Sequence, residues 1–326
     1  MKDILYNEIP SLDLADFTSG SSDKKQAFVQ KLGEAYNNIG FVAIKNHGLD
    51  KELQDKLYAV IKKFFSLPDD VKSKYEKPEI GFQRGYTGKG KEHAKGRNTG
   101  DLKEFYHVGQ ELDSIPDSDE TKKEYPDNIW PSEVPEFKEI ANEVYRTLEA
   151  AGKNMLKAIA LYLDLEENYF EDKVAFGNSI LRQIHYFPIE NPDDVPADAV
   201  RAAEHGDINL ITLLMGASAD GLQVLRKDGK WIPITALPDQ LVVNVGDMLE
   251  RLTNKKLKST IHRVVNPPRE MMHTSRYSIP FFMHPRSEMD LTCLESCVDV
   301  DHPKQFENAT AGEFLEERLR ELGLKK

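Results

Sequence analysis

Cysteine is nearly absent: the chain has two in 326 residues, Cys293 and Cys297. With three residues between them they fit neither a zinc pairing nor a redox pairing, and two thiols make no disulfide framework. Reduced thiols in a cytoplasmic protein are the expectation. Long apolar runs are missing too. Nothing approaches the roughly 18 consecutive apolar residues of a membrane span, and the opening Met1 to Glu8 lacks the apolar core and cleavage site of a signal peptide. Positive charge is in deficit, with 43 basic residues against 55 acidic ones and a net charge of −12. That excludes a general nucleic-acid binder or a protein held on anionic membranes, which need a basic face. The Gly- and Lys-rich stretch from Gly85 to Gly100 lacks the spacing of a phosphate loop. It reads as a surface loop, or as a mobile basic loop that draws an anionic substrate inward. Internal repeats and low-complexity linkers are also lacking.

What is present is an ordinary globular composition, 40% hydrophobic and 30% charged, whose periodicity changes near residue 175. Before it, helical spacing dominates. Phe28, Val29, Leu32, Ala35 and Tyr36 mark one helix. Asp50 caps a second, with Leu53, Leu57, Val60, Ile61 and Phe64 on one stripe before Pro68. A third begins near Ser132 and carries Phe137, Ile140, Val144, Leu148, Ala151, Met155 and Ile159. Short strands are expected around Ile9 to Leu14 and Gly40 to Ile44. After it come about eight strand-like segments: Ile180–Phe187, Ile208–Met215, Leu222–Leu225, Trp231–Ile234, Leu241–Val245, Thr260–Val265, Arg276–Met283 and Met289–Leu294. Eight short strands without intervening helices predict an antiparallel sandwich or barrel, of which the jelly roll is the eight-strand form, and a helix over Ala311 to Leu322 closes the chain. The expected fold is α+β with a mainly β core, in one domain. Residues 1–175 form a mostly helical part, 176–295 the core, and 296–326 the C-terminal helix.

The chemistry concentrates in three short motifs. In His205-Gly206-Asp207, alternation along a strand turns the imidazole and the carboxylate to one face. His262 follows after 54 residues on another predicted strand. Two histidines and a carboxylate on one face of a metal leave three sites open, the arrangement of non-haem iron oxygenases. Nine histidines and 55 acids generate such spacings by chance, so the triad alone is weakly specific. Arg276 and Ser278 share a face of the Arg276–Met283 strand, and a guanidinium fork beside a hydroxyl suits a carboxylate. A structural ion pair is the other reading of that arginine. Phe282 shares the same face, where it lines either a substrate pocket or the core.

These motifs resemble the 2-oxoglutarate- and iron(II)-dependent oxygenases, and within them the isopenicillin N synthase-like branch. The likeness extends to Ile9-Pro10-Ser11-Leu12-Asp13-Leu14, to Gly40-Phe41-Val42-Ala43-Ile44-Lys45-Asn46-His47-Gly48, and to Phe64-Phe65-Ser66-Leu67-Pro68. It also takes in Leu181-Arg182-Gln183-Ile184-His185-Tyr186 and Asn244-Val245-Gly246-Asp247. Two departures are Gly206, where many relatives carry threonine, and Phe187-Pro188 in place of a double proline. The resemblance implies a distorted double-stranded β-helix with flanking helices. It implies iron on His205, Asp207 and His262, and the distal carboxylate of 2-oxoglutarate on Arg276 and Ser278, with Tyr186 adding a hydrogen bond. It also brings Arg84, Arg97 and Lys103 toward a substrate, Arg84 being the one retained as a candidate. The reaction implied consumes 2-oxoglutarate and dioxygen, releases succinate and carbon dioxide, and oxidises a small molecule. An oxidase of the isopenicillin N synthase type, needing no keto acid, is the alternative within the family; a zinc hydrolase or a non-catalytic jelly-roll protein are the alternatives outside it. His47, His107 and His185 read as structural and Asp247 as a turn or cap residue, and a monomer is the default.

Overall fold

A computed structural model describes residues 4–91, 103–111, 125–189, 191, 200–215, 221–234 and 237–321. Its strands are β1 (Ser11–Asp13), β2 (Phe41–Lys45), β3 (Gly85–Thr87), β4 (Lys103–Gly109), β5 (Ile180–Tyr186), β6 (Val200–His205), β7 (Ile211–Met215), β8 (Leu222–Leu225), β9 (Trp231–Pro233), β10 (Leu241–Val245), β11 (His262–Val265) and β12 (Arg276–Met283). Its principal helices are α1 (Ser22–Asn38), α2 (Lys51–Phe65), α3 (Phe137–Tyr162), α4 (Asp247–Leu252) and α5 (Ala311–Glu321). Two sheets result, a large one ordered β1-β2-β10-β7-β12-β5-β4-β3 and a small one ordered β6-β11-β8-β9. All pairs are antiparallel except β1 with β2. This is the antiparallel core that the strand-like segments predict, in the distorted jelly-roll form with helices outside that the resemblance implies.

The helices form where spacing and caps demand. The Asp50 carboxylate accepts from the Leu53 amide at 2.8 Å, and Leu53, Leu57, Val60, Ile61 and Phe64 are all buried. Helix α3 starts at Phe137, five residues later than expected. Pro135 biases Val134 away from helical backbone, and the chain makes turns there until the proline is passed.

Alternation along β12 divides the molecule into two layers. Ile279, Phe281 and Met283 join the main core with the helices, where a side chain on Gly152 of α3 would come within 2.6 Å of the Met283 sulfur. Arg276, Ser278 and Phe282 face the other way. On that side Phe41 and Val242 of the large sheet pack with Leu222, Val224 and Val264 of the small one. The space between the sheets is therefore apolar at one end and polar at the other. Burying a side chain of this size contributes about 1.5–3 kcal/mol, so the apolar end fixes the spacing of the sheets.

Several expectations shift. The segment Met289–Leu294 buries alternate residues as a strand would, but its amides bond to the Ala309 and Leu252 carbonyls and it joins no sheet. Gly85–Thr87 is a buried edge strand rather than surface loop; Lys89, Gly90 and Lys91 are exposed in a turn, and residues 92–100 lie outside the described residues. His205 does not begin an apolar strand but ends β6, a strand not apparent from the sequence. No helix among the described residues is long and apolar enough to cross a membrane.

Candidate metal and cosubstrate site

Strands β6 and β11 pair so that His205 and His262 are direct partners, with ring centroids 4.4 Å apart. Each ring is oriented from behind. Nδ1 of His205 donates to the Ala203 carbonyl at 2.7 Å, and Nδ1 of His262 to the Thr260 carbonyl at 3.2 Å. A carbonyl only accepts, so Nδ1 carries a proton in both rings and Nε2 is the nitrogen left to face a metal. Phe41 packs edge-on against His262, centroid to centroid 5.5 Å.

Asp207 supplies the third donor from the loop after β6, not from the strand itself. Its Oδ2 accepts from the Thr212 hydroxyl at 2.6 Å and from the Asn244 amide at 2.8 Å. Its Oδ1 is left facing the histidines, 4.0 Å from Nε2 of His205 and 3.8 Å from Nε2 of His262. The three donor atoms lie within 4.8 Å of one another. Burial pushes the Asp207 pKa upward, but His262, His205, Asn244 and Thr212 together outweigh it and keep the carboxyl below its usual range. Desolvation of the ring edge that faces the site, and then His262 beside it, lower the His205 pKa to about 4, although the side chain itself is 47% exposed. Two imidazoles and a carboxylate, each with its far side tied to the protein, fit a divalent first-row metal.

Gly206, the departure from threonine, has a local cause. A Cβ there would lie 2.9 Å from Oδ1 of Asp247 and 3.1 Å from the Ser259 hydroxyl. Asp247, the first residue of α4, accepts from Ser259 at 2.6 Å and from Arg318 of α5 at 2.8 Å, and its amide donates to the Asp207 carbonyl at 2.7 Å. It supports the loop of Asp207 and is not a ligand.

The carboxylate-binding candidates lie on neighbouring strands of the large sheet. Arg276 of β12 is in register with Tyr186 of β5, and Ser278 with Ile184. All three candidates are buried, Arg276 to 1% exposure, and the Arg276 guanidinium carbon stands 5.1 Å from the centre of the Tyr186 ring. Arg201 of β6 reaches the same ring from the small sheet, its guanidinium carbon 5.9 Å from the centre. Farther along the face, Arg182 lies 4.4 Å from the Phe105 ring and 5.6 Å from that of Phe282. Its Nε donates to Nε2 of His107 at 2.6 Å.

Comparison with known proteins names the family. Residues 177–285 match the family described as the 2OG-Fe(II) oxygenase superfamily, and residues 9–133 the one described as non-haem dioxygenase in morphine synthesis N-terminal. A 2-oxoglutarate-Fe(II) type oxidoreductase, ppzD of Metarhizium rileyi, is 31% identical over 329 residues, covering 95% of this chain and 90% of its own. The chain belongs to the 2-oxoglutarate- and iron(II)-dependent oxygenases. A 2OG-Fe(II) oxygenase family protein of Caulobacter crescentus shares the fold with a TM-score of 0.85 and 43% identity, over 96% of this chain and 99% of that one. A full-length Neurospora crassa protein, solved with alpha-KG, gives 0.84 and 30%, over 98% and 100%; a further structure of it holds thymine as well.

In this oxygenase one candidate falls elsewhere. Arg84 is fully enclosed at 0% exposure, with Nη1 on the Gln83 carbonyl and Nη2 on Asn178, against the backbone of Gly109. It is packed inside the end of the sheet and presents no exposed surface to a substrate. Arg97 lies outside the described residues. Lys103 is in register with Tyr186. His47, His107 and His185 are all hydrogen-bonded within the protein away from the triad.

Thr212 and Arg201 stand in none of the motifs read from the sequence, and Asn244 only in Asn244-Val245-Gly246-Asp247 without a role. Thr212 and Asn244 are the ones with a visible mark, each being the polar residue in an otherwise apolar strand. Asn244→Leu keeps the volume but removes one of the two donors to Asp207. Loss of such a partner costs metal affinity about 10–100-fold, which a competitive iron(II) titration under anaerobic conditions reads directly.

Proposed function

We infer that this enzyme carries out iron(II)- and 2-oxoglutarate-dependent oxidation of a small organic substrate, the chemistry of its family. We propose that His205, Asp207 and His262 hold the iron and that Arg276, Ser278 and Tyr186 hold the distal carboxylate of 2-oxoglutarate. The observation carrying this is the convergence of two Nε2 atoms and one carboxylate oxygen, with every other polar atom of the three side chains already bonded to protein. When bound, the iron supplies dioxygen activation coupled to decarboxylation of the keto acid. The protein's part is to hold the donors, to orient the acid through Arg276, and to exclude water from the buried face. We also propose one oxygenase domain throughout, working in the cytoplasm as a monomer; two buried free cysteines agree with a reducing compartment.

For the substrate we propose a small, flat ring bearing carbonyl groups. Phe282, half-buried on the face of Arg276 and Ser278, would line its pocket, with Phe105 and the Arg182 guanidinium beside it. The thymine complex of the Neurospora crassa protein, a pyrimidine in a related chain, supports that class.

The test of the site is anaerobic. Protein loaded with iron(II) should develop a visible charge-transfer band on adding 2-oxoglutarate, and His262→Ala protein should not. Succinate should then be released in air when pyrimidine bases are supplied. A band that survives in the His262→Ala protein overturns the ligand set. Succinate release with amino acids alone overturns the ring.

A further inference from the structure

A buried guanidinium is costly unless an anion meets it, because burial removes hydration that only paired charge and hydrogen bonds can replace. Arg201 is buried to 8% exposure. One of its nitrogens, Nη2, donates to the Thr274 carbonyl at a long 3.3 Å. The other two, Nε and Nη1, are buried without any hydrogen-bond partner, and no carboxylate of the described residues lies within ion-pair distance. The side chain nevertheless comes to 5.9 Å from the Tyr186 ring, the ring that Arg276 approaches to 5.1 Å. Two like charges are thus gathered at one buried tyrosine, and each disfavours the charged state of the other: burial and then Arg276 hold the Arg201 pKa below its ordinary value. Folding alone gives no reason to assemble such a pair.

We propose that Arg201 is a second guanidinium of the 2-oxoglutarate pocket, donating to the distal carboxylate alongside Arg276 and Ser278. This rests on the assignment of Arg276, Ser278 and Tyr186 to that carboxylate. A carboxylate has about four lone-pair sites, so one can accept from two guanidinium groups and a hydroxyl together. The two arginines come from different sheets, Arg201 from β6 and Arg276 from β12, so the acid is gripped across the gap between them. The geometry gives the pocket a strong preference for a keto acid with a second, distal carboxylate.

Pyruvate separates this from a structural role, since it has the same keto-acid head and no distal carboxylate. Full-length protein loaded with iron(II) without air is titrated with each acid, following the chelate band, in wild type, Arg201→Met, Arg201→Lys and Arg276→Met. The expected result is that Arg201→Met weakens 2-oxoglutarate about 10–100-fold, the range for losing a hydrogen bond to a charged group, and leaves pyruvate unchanged. Arg201→Lys falls between, keeping the charge without the fork; should the methionine variant fail to fold, its ratio of the two affinities decides alone. If Arg201 serves only as a latch on Thr274, both acids weaken together or neither does, and the inference is overturned. If Arg276→Met selectively loses 2-oxoglutarate while Arg201→Met does not, the pocket assignment stands and Arg201 falls out of it. If neither variant loses it, both fail.

Discussion

Asp207→Ala is expected to abolish iron-dependent succinate formation, by more than about 1,000-fold, a loss well beyond the 10–100-fold expected for an outer-shell partner. The reason is geometric. Oδ1 of Asp207 is the atom that faces both histidine nitrogens, at 4.0 and 3.8 Å, and the described residues offer no other carboxylate grouped with those rings. The substitution should also cost about 1–3 kcal/mol of stability, since it leaves buried donors on Thr212 and Asn244 without their acceptor. The two effects are separable: metal analysis of protein purified without air reports the first, and denaturant unfolding of the metal-free protein reports the second. Full iron-dependent turnover by the alanine variant would remove Asp207 from the site.

The second large effect is expected behind the site, on the helix side of the large sheet. Glu104 of β4 is fully buried at 0% exposure. It accepts from Lys72 at 2.7 Å and from Tyr86 at 2.6 Å, and is 2.7 Å from Nδ1 of His185, whose Nε2 is 2.9 Å from the Ser275 hydroxyl. Tyr277 stacks on His185 at 4.9 Å. Removing Glu104 leaves the buried Lys72 charge with only the exposed Asp69 carboxylate at 3.0 Å, so Glu104→Ala should lower the unfolding free energy by up to about 3–5 kcal/mol. Burial pushes the Glu104 pKa up, but the bonds from His185, Lys72 and Tyr86 prevail and hold it below the ordinary 4.5. A carboxyl lowered on folding stabilises fully above pH 4.5, and that contribution disappears as pH falls through the folded value. Wild type should therefore lose more stability on acidification below pH 4.5 than Glu104→Ala does. Parallel acid unfolding curves for the two proteins would contradict this.

How much of this was legible depends on where each residue got its constraint. Strands β10 and β12 run over Leu241–Val245 and Arg276–Met283, as their apolar pattern predicts, because burial on both faces leaves a continuous apolar run. Strand β6 reads Val-Arg-Ala-Ala-Glu-His and pairs with β11 through two register shifts. A bulged strand has no regular alternation to read, so the strand carrying His205 was invisible although His205 itself was not. The i, i+2 rule put His205 and Asp207 together for the wrong reason. They converge because the chain leaves the strand at Gly206 and the carboxylate is drawn to Thr212 and Asn244. Arg84 was brought forward by the family resemblance, and nothing in the sequence reveals the packing of Gly109 and Asn178 that encloses it. Arg201 was passed over for the converse reason, since its meaning comes from Tyr186, fifteen positions away and on the opposite sheet.

The placement of the metal donors has a mechanical consequence. His205 and His262 belong to the small sheet, whereas the Asp207 carboxylate is tied to Thr212 and Asn244 of the large one. An ion on those three atoms is therefore a crosslink between the two layers. Its binding free energy is also resistance to their separation, about 2.7 kcal/mol when free metal stands at 100 times the dissociation constant. Filling the reaction centre and bolting the sandwich shut are one event.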